Sequence, residues 1–138
     1  MNVDSIQNGV VIDHITAGKG MKLYELLHLD SLDVSVAIIK NVVSGKIGKK
    51  DIIKIDADIP VDLDVIGFVD PGATVNIIKN GVLIEKRTIE MPEKLVDVIK
   101  CKNPRCITSS EQELQNVFVL TDRENKVYRC IYCETKAQ

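Results

Sequence analysis

At 138 residues, 45% apolar and 28% charged, the chain has the make-up of an ordinary globular protein with room for one domain or two small ones. No apolar run reaches the roughly 18 residues of a membrane span, and the opening MNVDSIQNG lacks the basic-then-apolar pattern of a secretory leader, so a cytoplasmic protein without membrane contact is expected. A formal net charge of −2 speaks against a general nucleic-acid binder.

In chain order, NGVVIDHIT (8–16) reads as a strand from its β-branched content, interrupted by Asp13 and His14. GMKLYELLHL (20–29) sets Leu23, Leu26 and Leu27 at helical spacing for a face packed on a sheet. VSVAIIKNVV (34–43) is a second strand and SGKIGKK an exposed hairpin loop, since it lacks the spacing of a phosphate-binding loop and opens no helix. DIIKID (51–56) is a third strand, with Ile53 and Ile55 on one face and Ile52 and Lys54 on the other. Residues 62–69 form a short helix with Asp62 near its N-terminus, where a negative side chain is favoured. ATVNIIK and VLIEKRTI follow as strands joined by Asn80-Gly81, the dipeptide of a tight type I′ hairpin. The order β-α-β-β-α-β-β predicts an α+β fold, a ferredoxin-like antiparallel sheet with two helices on one face. EMPEKLVDVI (90–99) connects to a second, all-β unit whose strand candidates are NVFVLTD and KVYRCIY. The expected domains are therefore 1–95 and 96–138.

All four cysteines fall in the second unit, as Cys101-x4-Cys106-x23-Cys130-x2-Cys133. So small a piece needs a metal, disulfides or a partner to fold, and in a cytosolic chain the clustering favours metal. Two cysteine pairs on tight turns make a tetrahedral four-thiolate zinc site with no ligand position left for water, hence one structural zinc per chain. Its contribution would be on the order of 10–16 kcal/mol. The competing reading is four reduced thiols or a redox dithiol in CIYC. Residues 96–138 carry 7 Lys and Arg against 6 Asp and Glu, and only Phe118, Tyr128 and Tyr132 for stacking. That favours a module docking on another protein over a nucleic-acid binder.

The first unit holds no nucleophile–base–orienter set. His28, near a helix end, reads as a solvated residue of the last turn. Asp13 and His14 admit two readings, a strand end frayed into solvent or one wall of a site. Lys54, Asn76 and Lys86 interrupt or end neighbouring strands in the same way, and their convergence with Asp13 and His14 would suit a sugar, a base edge and a polyphosphate. From the residues alone this is an anionic small-molecule site.

VVIDHI, GKKDIIKID, ATVNIIKNGVLIEK and the cysteine ending occur in an order that resembles the regulatory chains of aspartate carbamoyltransferase over essentially the whole length. The resemblance implies a non-catalytic chain of pyrimidine biosynthesis. Its N-terminal domain would bind nucleotide effectors (ATP, CTP and UTP), and its zinc domain would contact the catalytic chain. It also implies homodimers of regulatory chains. By the same resemblance Asp13 and Lys54 contact the ribose and base region, and His14 and Lys86 lie by the triphosphate. Val11, Ile52, Asn76, Ile78 and Leu83 line the pocket beside Lys50. Val3, Asp4, Ser5 and Ile6 lie against the base or a neighbouring effector. Asp4 stands where known members carry a longer Glu, and Gly81 where they carry an aromatic residue. The rival from another class is a stand-alone zinc-ribbon protein that binds nucleic acid.

Overall fold

The computed structural model describes residues 6–45, 48–111 and 113–137, and its contacts divide the chain into Met1–Glu90 and Met91–Gln138. The first unit is built from β1 (Gly9–Thr16), α1 (Gly20–Leu26), β2 (Val36–Ser44), β3 (Gly48–Ile55), α2 (Leu63–Val69), β4 (Thr74–Lys79) and β5 (Val82–Thr88). Its five strands lie in the order β2-β3-β1-β4-β5, every neighbouring pair antiparallel. The connection through α1 skips over β3 and that through α2 skips over β1, which is the ferredoxin-like interleaving that the element order predicts. Val10, Ile12, Ile15, Ile53, Ile55 and Val75 are buried from the strands, and Leu23, Val65, Ile66 and Val69 from the helices. Alternation along β3 is strict, with Asp51, Ile53 and Ile55 buried and Lys50, Ile52 and Lys54 half-buried, because a strand points successive side chains to opposite faces.

Several boundaries differ from the sequence reading for local reasons. α1 ends at Leu26, three residues early, because His28 adopts a left-handed φ of 55° and Leu29–Ser31 continue as a 3-10 turn; His28 itself is exposed. β3 begins at Gly48 rather than Asp51, so Lys49 and Lys50 belong to a strand and pair with Val43 and Val42; Lys46 and Ile47 lie outside the described residues. Asp62 caps α2, its carboxylate accepting from the amides of Asp64 and Val65 at 3.0 and 3.4 Å. At the β4–β5 hairpin, Asn80 and Gly81 both have positive φ, 53° and 76°, as a two-residue primed turn requires.

The second unit is a three-stranded antiparallel sheet, β6 (Lys94–Val96), β7 (Val117–Asp122) and β8 (Val127–Cys130), in that order, with one helical turn, α3 (Ile107–Ser110). The connector read from sequence thus supplies a strand. Leu95 is buried and pairs with Phe118, which pairs with Cys130, so one row of side chains crosses the sheet. Tyr128 is buried and its hydroxyl donates to Pro92 O at 2.5 Å. Among the described residues no helix is long and apolar enough to cross a membrane.

Candidate binding pocket and metal centre

The puzzle of two ionisable residues inside β1 is resolved by its register. Ile12 pairs with Ile53 and Ile15 with Asp51, so Asp13 and His14 together oppose the single residue Ile52. This is a β-bulge, and His14 carries its left-handed φ of 58°. The extra residue leaves both Asp13 and His14 half-buried, while Ile12 and Ile15 on either side are fully buried. β2 has a second bulge at the neighbouring position, where Lys40 and Asn41 lie between the paired residues Ile39 and Val42 and Asn41 has a φ of 58°.

Between the two bulges sits Asp51, which no pattern in the sequence singles out. It is fully buried, and its carboxylate accepts from the amides of Gly18 and Gly20 at 3.0 Å and from Asn41 at 3.1 Å. It thereby joins the β1–α1 turn to the bulge of β2. A Cβ on Gly20 would stand 2.9 Å from Asp51 Oδ2, so the close approach needs glycine. Asp70 plays a similar part after α2, accepting from Thr16 N at 2.6 Å and Gly72 N at 3.0 Å. Both carboxylates are held by backbone amides, and they hold the frame on which the pocket is built.

The pocket itself occupies the sheet face away from the buried core, a hollow of about 480 Å³ lined by Ile6, Gln7, Val11, Asp13, Ile52, Lys54, Asn76, Ile78, Gly81 and Leu83. Nine of these are residues the sequence analysis selected; Gln7 is the addition, and nothing in VDSIQNG marks it. Strand pairing explains the convergence. Lys54 pairs with Val11, Val11 with Asn76, and Asn76 with Lys86, giving one cross-strand row through β3, β1, β4 and β5. The Asn76 amide donates to Val11 O at 3.3 Å, which orients it in that row.

Lys50 reaches Asp13 with an Nζ–Oδ1 distance of 2.9 Å. Burial raises the Asp13 pKa, but the hydrogen bonds from Lys50 and the His14 amide, with the charges of both residues, outweigh it and leave the carboxyl below its ordinary value. Asp13 is therefore ionised at neutral pH and its charge is matched by Lys50. His14 lies outside the lining, with Nδ1 3.2 Å from Thr74 Oγ1, and Thr74 pairs with Asp13. Lys86 also lies outside it, exposed on β5 at the end of the row. Val3, Asp4 and Ser5 fall outside the described residues.

In the second unit the ligand atoms of Cys101, Cys106, Cys130 and Cys133 all lie within 4.8 Å of one another. Cys101 and Cys133 are 3.5 Å apart at sulfur, and Cys106 and Cys130 3.7 Å. A tetrahedral zinc with bonds of about 2.3 Å puts its sulfurs about 3.8 Å from each other, so the four thiols fit a structural zinc. Each ligand pair rides on a turn. Asn103 builds the first, its Oδ1 accepting from Arg105 N at 3.0 Å and its carbonyl from Cys106 N at 3.1 Å. In the second, Glu134 N donates to Cys130 O at 2.9 Å and Glu134 has a left-handed φ of 62°. The Thr108 hydroxyl donates to Cys106 Sγ at 3.1 Å, and that of Thr135 lies 3.2 Å from Cys133 Sγ. Taken as bare thiols, Cys101 and Cys133 are driven apart: burial pushes Cys101 up to about 12, and the Thr135 hydroxyl brings Cys133 down to about 6. A doubly charged cation is what holds all four as thiolates together.

Comparison with known proteins bears on both units. Residues 1–90 match the family model "Aspartate carbamoyltransferase regulatory chain, allosteric domain" and residues 93–138 the model "Aspartate carbamoyltransferase regulatory chain, metal binding domain". Similar proteins include the aspartate carbamoyltransferase regulatory chain of Clostridium botulinum, 50% identical over 134 residues that cover 97% of this chain and 92% of the relative. That of Clostridium tetani is 49% identical over 135 residues, 97% and 94% of the two chains. That of Bifidobacterium longum is 45% identical over 138 residues, 100% and 99% of the two.

Proposed function

The chain belongs to the family of aspartate carbamoyltransferase regulatory chains, and from that premise we propose that it binds nucleoside triphosphates in the pocket of its first unit and passes their effect to a catalytic chain held by its second. The family is one of regulatory chains, so the protein is not itself the enzyme. The observation that carries the effector reading is the pocket's graded chemistry. Ile6, Ile78 and Leu83 offer an apolar end for a base, and Asp13, Lys54 and Asn76 a polar one for a ribose. His14 and Lys86 stand beyond it for phosphates. Lys50 neutralises Asp13, which otherwise would repel a polyanion.

The metal centre supports the second half. Ile107 follows Cys106 directly, Ile131 and Tyr132 lie between Cys130 and Cys133, and all three are exposed. Zinc would thus fix the turns that display apolar side chains to the catalytic chain. Two edge strands, β2 and β5, are open to pairing between copies in a homodimer. The assembly would be cytoplasmic and serve pyrimidine biosynthesis. Regulation requires the effector to bind one quaternary state better than another; a coupling of about 1–3 kcal/mol is the usual scale.

Titration calorimetry of the zinc-loaded chain with ATP, CTP and UTP tests the pocket, repeated with His14→Ala and Lys86→Ala. Micromolar to millimolar binding that weakens about tenfold in each variant is expected. Unchanged affinity in both would mean that the phosphates lie elsewhere. Mixing the chain with aspartate carbamoyltransferase catalytic subunits should give a larger complex that chelator dissolves.

A further inference from the structure

The pocket runs along β1 from Gly9, which pairs with Ile78, past Val11, which pairs with Lys54 and Asn76, to Asp13. At about 3.4 Å per residue that is roughly 14 Å, the length of a nucleoside with its first phosphates. Its two ends differ in kind. Asp13 stands at one, Lys54 and Asn76 cross the middle beside Val11, and Ile6, Ile78, Gly81 and Leu83 are at the other. Among the described residues of the apolar end, Gln7 carries the one polar side chain.

Gln7 is also unusually well placed for an exposed residue. Gly81 N donates to Gln7 O at 2.9 Å, and Asn80 N donates to the neighbouring Asn8 Oδ1 at 3.2 Å, so the segment is tied to the β4–β5 turn at two points. The side-chain amide packs on Gly81 itself, and a Cβ there would lie 3.0 Å from Gln7 Oε1. The bare glycine leaves the amide its place at the pocket rim. We propose that Gln7 is the base-reading residue of the effector pocket, its amide hydrogen-bonding the edge of a nucleobase whose ring occupies the apolar end.

The chemistry suits more than one base. A primary amide offers an acceptor and a donor side by side, and turning it over exchanges them. One orientation complements an amino group beside a ring nitrogen, as in adenine and cytosine; the other complements a carbonyl beside N–H, as in uracil. A fixed acceptor or donor would select one class. A side-chain amide free to turn over on a backbone that is held in place accepts both while still requiring a base, and the fixed backbone lowers the ordering cost of each contact.

The inference rests on the effector reading of this pocket, and its test separates the two. The zinc-loaded chain, wild type and Gln7→Met, is titrated calorimetrically with ATP, with purine riboside 5′-triphosphate, which lacks only the amino group, and with inorganic tripolyphosphate. Methionine keeps the length and the exposed position of the side chain, so the fold stands. Wild type is expected to bind ATP about five- to tenfold more tightly than the purine analogue, the variant to bind both alike, and tripolyphosphate to bind both proteins equally. A Gln7→Met chain that keeps the preference for ATP, or that weakens toward all three ligands by one factor, overturns the assignment and leaves the pocket standing. A wild-type chain that binds no nucleotide overturns both.

Discussion

Asp51 carries more of this fold than its place at the head of DIIKID suggests. A fully buried carboxylate receives three backbone amides, from Gly18, Gly20 and Asn41, and so ties a turn, a helix start and a strand bulge to one atom group. Removing it strands those donors. Each buried amide left without a partner costs about 1–3 kcal/mol, but Gly18 and Asn41 are exposed residues that water can reach, whereas Gly20 is buried. Asp51→Ala should therefore destabilise the first unit by about 3 kcal/mol, read as a lower urea midpoint at unchanged slope, and Asp51→Asn by less. A loss below about 1 kcal/mol would show that solvent replaces the carboxylate. Asp51 was not legible in the sequence because an Asp at the start of a strand is an ordinary turn residue; what matters is which distant amides point at it. His14 was half legible. Its oddness in an apolar strand was visible, but the bulge that explains it exists only in the pairing with Ile52.

At the scale of elements, β1 is the strand on which the site depends, since it pairs with both β3 and β4 and brings the pocket's two long walls together. Its first residue makes that closeness possible. A Cβ added to Gly9 would stand 2.2 Å from Ile55 O and 2.8 Å from Ile6 Cγ2. The first of these atoms is backbone and cannot turn aside. Gly9→Ala is thus expected to cost about 3 kcal/mol or more by forcing β1 off β3, and to abolish nucleotide binding while the second unit keeps its metal. Retention of wild-type melting would mean that the start of β1 yields more readily than the packing implies. The hairpin Asn80-Gly81 was legible outright, because two residues with positive φ leave a compositional trace. The shortened α1 was not: GMKLYELLHL has helical spacing to its end, and only His28 turning left-handed stops it.

For the whole molecule, the two units draw on different sources of stability. The first buries a Val, Ile and Leu core between sheet and helices; the second has Leu95, Phe118 and Tyr128 and then its four cysteines. Zinc removal should accordingly unfold the second unit alone. With a strong chelator, the near-ultraviolet signal of buried Tyr128 should vanish while the far-ultraviolet signal of the five-stranded sheet persists. Acidification should release the metal in the same way, because protons compete for the thiolates. A Tyr128 signal that survives complete metal loss would show that the small core folds unaided. Sequence by itself determined the order of the elements in the first unit, the hairpin and the cysteine ligand set, since these are written in local composition and spacing. Nine of the pocket's lining residues were also named in advance, through resemblance and through polar residues interrupting apolar strands. Only the tertiary structure decided the rest: the bulge that puts Asp13 and His14 both off the core, the carboxylate of Asp51 between two bulges, and Gln7 over Gly81. Each of these depends on strand register, and register is set by pairing between residues far apart in the chain.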